Sequence, residues 1–532
     1  MYMVRIAPIN AYIATLDISA ASRLAASLKR TARGFDVDLV TPLISNMDTD
    51  PDVAREDLAN ELFHKTAHGP LEWLNEAESE AKERVGSFSI MLPFSERRDQ
   101  VLTYFDQASI RPDMDAFRFA VRKVGATLPT SLRPASITEA FNRMPRGTNL
   151  GAPSFTSDNR FRTSVLELAK EITRLGFPFM EDPALLFWRG QPRGLGLVPK
   201  QRTVWGFPHY VTVIELQLQI AFLKSVKHDP TFVAWRTVDD INLEVTRLLR
   251  TAKQPVLSID FSGYDASIPE LLIDAAFELL SGCFQPSATQ ILDYCRDVFK
   301  HIPLATPVGI MSGRHGGVPS GSANTNLIDG LVQRIILEYC AIRMRNSIID
   351  HLVQGDDGVT SWERPWDLDD LVGYANELGV LVSNDKGLVS STRCTFLQNI
   401  HSLDYVHSDL NVGVRPLLRI LNGMMSYERL ARGWNGFDDT IRWWQQAENG
   451  REHPYFHELV KFLYEHDKYS RTYSWSTVVR QAGGFEQFES VSRQSAFPYG
   501  RHSVRGLSNF RVVRALDRMR HAQEASVKLV PI

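Results

Sequence analysis

The sequence predicts an α+β chain, a central sheet with helical regions before and after it. Three observations predict this class. The most strand-like segments cluster mid-chain, at PVLSIDF around Asp260 and at IIDHLV and GVTSW on either side of Gly355–Gly358. Beyond about His401 the pattern turns helical, rich in aromatics and finally basic. No repeat, low-complexity tract or Gly/Ser-rich linker divides the chain, so one continuous, multi-part body is expected.

With 532 residues, 44% hydrophobic and 23% charged, the composition is that of a globular protein and excludes disordered and fibrous classes. No stretch of about 18 uninterrupted apolar residues and no basic-then-apolar leader is present, so neither a membrane span nor secretion is expected. Cys283, Cys295, Cys340 and Cys394 show neither a CxxC pair nor zinc-ligand spacing and are expected as free, buried thiols. A net charge of −3 and a pI near 6.6 do not suit a protein that coats nucleic acid, so any such site must be local. Two segments qualify. Between Asp182 and Glu215 there is no acidic residue, yet Arg189, Arg193, Lys200 and Arg202 fall there. From Arg493 to Arg520, Arg493, Arg501, Arg505, Arg511, Arg514, Arg518 and Arg520 face only Asp517. A basic channel under a neutral exterior and a pair of solvated surface segments both fit these runs.

In chain order, the first 70 residues read as mixed short elements ending in a helix-like stretch around Arg55 to Thr66. Helices interrupted by Pro- and Gly-punctuated loops follow to about Thr251, notably MPRGTNLGAP and RGQPRGLGLVPKQR. In PVLSIDFSGYDAS an apolar strand leads to Asp260, and Asp265 follows at the start of a helix opened by Pro269. Aspartate is depleted in strands, although a turn or cap role explains either residue taken alone. IIDHLVQGDDGVTSW reads as a hairpin whose tip carries Asp356 and Asp357. A turn needs only one aspartate, and two adjacent ones repel.

Nucleotidyl transfer gives such carboxylates a purpose. Magnesium takes hard oxygen ligands, and two ions about 3.5–4 Å apart stabilise attacking and leaving oxygens. Asp260 and Asp356 would bridge such ions, with Asp357 auxiliary, while Gly355 lets the backbone turn and approach a nucleic-acid end. Between the acids, SGRHGGVPSGSANTNLIDGLVQRIILEYC is a Gly-rich loop running into a helix. On a helical wheel Ser322, Thr325, Asn326, Asp329 and Gln333 share a sector roughly 100° wide, opposite Leu327, Leu331 and Ile335. One buried side and one hydrogen-bonding stripe are expected, the helix N-terminus suited to a phosphate and the stripe to a ribose or base edge.

These three segments, in this order, resemble the palm motifs of viral RNA-dependent RNA polymerases, lettered A, B and C. Asp260 and Asp265 match motif A, Ser320, Gly321 and Thr325 motif B, and Gly355, Asp356 and Asp357 motif C. Lys386 resembles the motif D lysine, and Phe396 and Leu397 begin a motif E turn. Arg202, with Lys200, Arg193 and Arg189, resembles motif F, while Thr148, Gly151 and Pro153 resemble motif G. A GDD triplet alone recurs by chance in about one in ten chains of this length; seven matches in order do not. The wording SGSANTNLID, VQGDDG and RTVWG is most similar to the polymerases of picobirnaviruses, small segmented double-stranded RNA viruses. One departure is Asp329, where many positive-strand relatives carry Asn.

The resemblance implies a right-hand fold closed by N-terminal contacts between fingers and thumb. It places a bridging segment at 1–70, fingers at 71–254, a palm at 255–400 with a fingers insertion at about 270–312, and a thumb with the basic C-terminal region at 401–532. It implies two Mg2+ or Mn2+ ions on Asp260, Asp356 and Asp357, with Lys386 as general acid. Arg202, Lys200, Asp265, Ser320, Gly321, Thr325 and Asp329 would bind nucleotide, and Thr148, Gly151, Pro153, Arg189 and Arg193 RNA. Expected partners are template and nascent RNA, ribonucleoside triphosphates and a capsid protein, for a monomer in the virion interior and host cytoplasm. A reverse transcriptase, an inactive RNA-binding structural protein and a two-metal nuclease are the competing readings. Gln354-Gly355 and Asp265 argue against the first, the intact aspartates against the second, and the basic Arg189 to Arg202 loop with the Ser320 helix against the third.

Overall fold

A computed structural model describes residues 4–41, 51–67, 71–106, 109–178, 182–383, 387–429, 435–482 and 504–528. Lys386, Arg493 and Arg501 lie outside the described residues. The chain forms two units: Met1–Gly34, Leu92–Trp188 and Thr203–Leu397 make the first, and Phe35–Met91, Arg189–Arg202 and Gln398–Ile532 the second.

The strands of the two larger sheets are β1 (Arg5–Ala7), β2 (Ala184–Gln191), β3 (Lys200–Gly206), β4 (Val256–Ile259), β5 (Leu304–Thr306), β6 (Gly309–Ser312), β7 (Ile348–Gln354), β8 (Asp357–Trp362) and β9 (Leu388–Ser390). Strands β7, β8, β4 and β9 form an antiparallel sheet in that order. β4 is buried along its whole length, which explains its unbroken apolar run rather than an alternating one. A second sheet has the order β1-β6-β5-β2-β3. The stretch expected as a fingers insertion thus sends β5 and β6 to this second sheet.

In the first unit the main helices are α1 (Ile18–Arg33), α2 (Met114–Gly125), α3 (His209–Ser225), α4 (Glu270–Cys283), α5 (Thr289–His301) and α6 (Thr325–Arg343). α6 packs against α2, α4 and β7. Its partners bury part of the polar sector as well as the apolar side, while Thr325 is half-buried and Asn326 exposed at the helix start. Asp329 and Gln333 are 3% and 0% exposed, and Ser322 precedes the helix in a buried turn. α1 replaces the short mixed elements expected near the N-terminus, and the Asp17 side chain caps it by accepting from the Ala20 amide.

The second unit is mostly helical, as expected after His401. Helices Pro51–Ala67, Leu417–Met425, Gly436–Glu448 and Phe456–His466 bury a core that includes Leu62, Met424, Trp443, Trp444 and Leu463. Buried carboxylates hold helix starts there. Glu78 accepts the Leu417 and Leu418 amides at 2.6 and 3.1 Å, and Glu448 those of Arg511 and Val512, both at 3.0 Å. The segment read as the loop RGQPRGLGLVPKQR is a ribbon instead. Arg189 lies in β2, Lys200 and Arg202 in β3, and Arg193 in the turn between them. All four cysteines are free and buried, as expected. No helix among the described residues is long and apolar enough to cross a membrane.

Candidate active site

Asp260 follows the last residue of β4, where Ile259 pairs with Gly358 of β8. In the β7–β8 hairpin Gln354 pairs with Asp357, leaving Gly355 and Asp356 as a two-residue turn. The three aspartates therefore stand at one end of neighbouring strands. Gly355 has φ +63°, and a Cβ there would meet Asn326 Oδ1 at 3.0 Å, so both conformation and space call for glycine. From below, Gln333 donates to the Gly355 carbonyl (3.2 Å), and its Oε1 meets His351 Nε2 at 2.9 Å. Burial lowers His351 to about 3, so it stays neutral. Asp356 is exposed at the tip, whereas one oxygen of Asp357 accepts the Leu397 amide at 2.8 Å.

Asp265 lies in the short helix Tyr264–Ser267, and its carboxylate accepts the Ser320 hydroxyl. Its own carbonyl takes the Val318 amide at 2.6 Å. The loop after Ser320 is tight. Gly321 has φ +145°, and a Cβ would run into the Trp205 carbonyl oxygen, while the Trp205 amide donates to Ser320 at 2.8 Å. The Thr325 hydroxyl meets the Gly321 amide and the Pro319 carbonyl, each at 3.4 Å. Asp329 lies behind these groups. Burial first, then the charges of Asp265 and Asp356, hold its carboxyl well above the usual range.

Thr148, Gly151 and Pro153 lie on a loop pinned to the start of α3. Thr148 Oγ1 is 3.4 Å from His209 Nε2, and the His209 amide donates to Leu150 at 2.9 Å. A Cβ on Gly151 would strike the Phe207 carbonyl. In the second unit Arg189, Arg193, Lys200 and Arg202 are all exposed on the ribbon, and Arg189 pairs with Glu428 at 3.1 Å. Sequence reasoning missed Glu215, which holds the loop at Ser322 and Ala323. Its signal was visible: a single carboxylate inside the apolar run of α3.

Among the described residues no three His, Cys, Asp or Glu side chains form a ready metal cage. Magnesium is commonly held by one or two carboxylates, with water and substrate phosphates completing the shell. The all-carboxylate donor set at the strand ends fits that chemistry.

The family model described as viral RNA-dependent RNA polymerase matches residues 133–424, more than half of the chain. The chain belongs to the viral RNA-dependent RNA polymerases. This polymerase is 28% identical over 436 residues to the "Potential RNA-dependent RNA polymerase" of a human picobirnavirus, covering 78% of this chain and 80% of that one. It is 30% identical over 276 residues to the RNA-directed RNA polymerase of Cryptosporidium parvum virus 1, covering 48% and 52%. The crystal structure of a human picobirnavirus RNA-dependent RNA polymerase matches with a TM-score of 0.80 at 24% identity, covering 93% of this chain and 96% of that one. Its insertion-loop deletion mutant matches at 0.78, also at 24% identity, with coverage of 95% and 98%. The polymerase has the expected α+β right-hand fold. Both sequence relatives are described as RNA-directed RNA polymerases, the picobirnavirus one as a potential one, which favours that activity over reverse transcription or an inactive RNA-binding role.

Proposed function

We propose that this polymerase joins ribonucleotides on an RNA template by two-metal nucleotidyl transfer at Asp260, Asp356 and Asp357. The observation that carries the reading is the set of three aspartates at the ends of β4 and the β7–β8 hairpin, beside the Asp265–Ser320 pair. Asp260 and Asp356 would hold the ions, with Asp357 assisting. Mg2+ or Mn2+ held there would supply positive charge to offset that developing on the 3′-hydroxyl and the pyrophosphate. Lys386 donates a proton to that pyrophosphate, a role open to an ammonium and closed to an arginine.

Asp265, Ser320, Gly321, Thr325 and Asp329 form the ribose-reading wall. A 2′-hydroxyl both donates and accepts, and this set offers carboxyl and hydroxyl groups to meet it. Arg202 and Lys200 bind the triphosphate, and Arg189, Arg193, Thr148, Gly151 and Pro153 contact RNA. Their support is the motif match, with the exposure of the four cations. Residues 71–254 serve as fingers, 255–400 as palm and 401–532 as thumb, with 1–70 bridging. The enzyme works as a monomer in the virion interior and host cytoplasm, in contact with capsid protein; kinship with viral polymerases supports this.

Asp356→Asn should cut metal-dependent incorporation on an RNA template by about 100-fold or more. Near-normal synthesis by that variant would overturn the proposal.

A further inference from the structure

α3 is buried on almost every side, and its apolar run is interrupted by Glu215, which is 0% exposed. An apolar side chain would fill that position without any need for partners. Glu215 uses both oxygens on one short loop. Oε1 accepts the Ser322 hydroxyl at 2.6 Å and Oε2 the Ala323 amide at 2.8 Å. One helical turn later, Gln219 donates to the Ala323 carbonyl. From the other side, the Trp205 amide and carbonyl fix Ser320 and Gly321. Within the turn the Ser322 amide donates to the Pro319 carbonyl at 3.1 Å and the Asn324 amide to the Ser322 hydroxyl oxygen at 3.0 Å, so Ser322 links the internal bonds to Glu215. Asn324 is 0% exposed, and neither its Oδ1 nor its Nδ2 has a hydrogen-bond partner among the described residues. The loop's remaining side carries the Ser320 hydroxyl to Asp265.

We propose that Glu215 is the positioning residue of the ribose-reading loop, setting Ser322 and Ala323 and through them Ser320, Gly321 and Thr325. It touches none of the groups proposed to meet the nucleotide. The inference rests on the reading of that loop as the sugar-selecting wall.

The same geometry makes the grip sensitive to protonation. Burial pushes Glu215 up to about 7, against the pull of the Ser322 and Ala323 donors. Tyr294 and Cys295 of α5 face it, and burial keeps both in their neutral forms. A protonated carboxyl gives up one of its two acceptor positions to the proton, so the loop is fully held above about pH 7 and loosened below.

The test compares the full-length wild type with Glu215→Gln, Ser322→Ala and Asp265→Asn in template-directed single-nucleotide incorporation across neutral pH. Glu215→Gln should raise the ribonucleotide KM and narrow the ribose-over-deoxyribose preference roughly 10-fold each, with a smaller change in kcat. It should also lose the wild type's fall in kcat/KM on the acid side of pH 7. Ser322→Ala should move KM and preference the same way by a smaller factor. A folded Glu215→Gln protein with wild-type KM, sugar preference and pH profile overturns the proposal. Should Glu215→Gln fail to fold, an unchanged KM and preference in Ser322→Ala overturns it instead. If Asp265→Asn keeps the wild-type sugar preference, the ribose-reading assignment fails, and the KM and pH profile of Glu215→Gln still decide the role of Glu215.

Discussion

Gly321 shows how much a single backbone position constrains the candidate site. Its φ of +145° is reached by glycine and strains any other residue, and a Cβ would collide with the Trp205 carbonyl. Gly321→Ala therefore forces either strain, on the order of 1–3 kcal/mol, or a shift of the loop away from β3. The expected outcome is a folded enzyme whose ribonucleotide kcat/KM falls about 10-fold, read by single-turnover incorporation. Asp265→Asn probes the neighbouring group: ribose-over-deoxyribose selectivity should narrow while thermal stability stays near wild type. An unchanged ratio would remove Asp265 from sugar reading. Asp260, Asp356 and Asp357 were legible in the sequence because acids at strand ends and paired acids at a turn go against local propensity. Asp329 was legible as a polar residue on the right sector of its helix, but not as a buried one. A helical wheel gives an angle, and burial depends on what packs there.

At the scale of elements, three glutamates do for distant helices or loops what a cap usually does locally. Each helix start leaves four amides without intrahelical partners. Glu78 serves two of them in helix Leu417–Met425, and Glu448 serves two in helix Arg511–Lys528. Leu417 and Leu418 are buried, so Glu78→Ala strands both amides away from water, at about 1–3 kcal/mol each. That variant should lower the thermal midpoint and speed proteolysis of the second unit, with Glu78→Gln partly restoring both. Equal melting of Glu78→Ala and wild type would show that the contacts contribute nothing. Such long-range caps are invisible in sequence, since Glu78 and Leu417 are hundreds of residues apart. Strands β2 and β3 were hidden for a different reason. Pro192, Gly194, Gly196 and Pro199 at their junction read as loop chemistry, which correctly describes the tip and obscures the ribbon's arms. The β7–β8 hairpin was legible because its turn chemistry and strand pattern agree over a dozen neighbouring residues.

For the whole molecule, buried carboxyls tie stability to pH in a stated direction. Burial raises Glu215 from 4.5 to about 7 and Asp467 from 3.8 to about 6. Both bind their proton more tightly folded than unfolded, so the stability they contribute is complete below about pH 4 and is lost as pH rises through about 6 and 7. Glu215→Gln cannot ionise. Its stability relative to wild type should therefore improve between about pH 5 and pH 8 in urea unfolding, and a constant difference would contradict the raised value. The central sheet flanked by helices and the absence of a linker were readable from composition and periodicity. The division into two units was not, because each is assembled from separate stretches of chain. The cysteines give that division an experimental handle. Cys283, Cys295, Cys340 and Cys394 are all buried, all in the first unit, and burial raises every one of their thiols out of the reactive range. A thiol-specific reagent added to the native enzyme consequently acts as a clock for the opening of the first unit, blind to events in the other. A single cysteine placed on an exposed position of the second unit would take the label alone and supply the missing second hand.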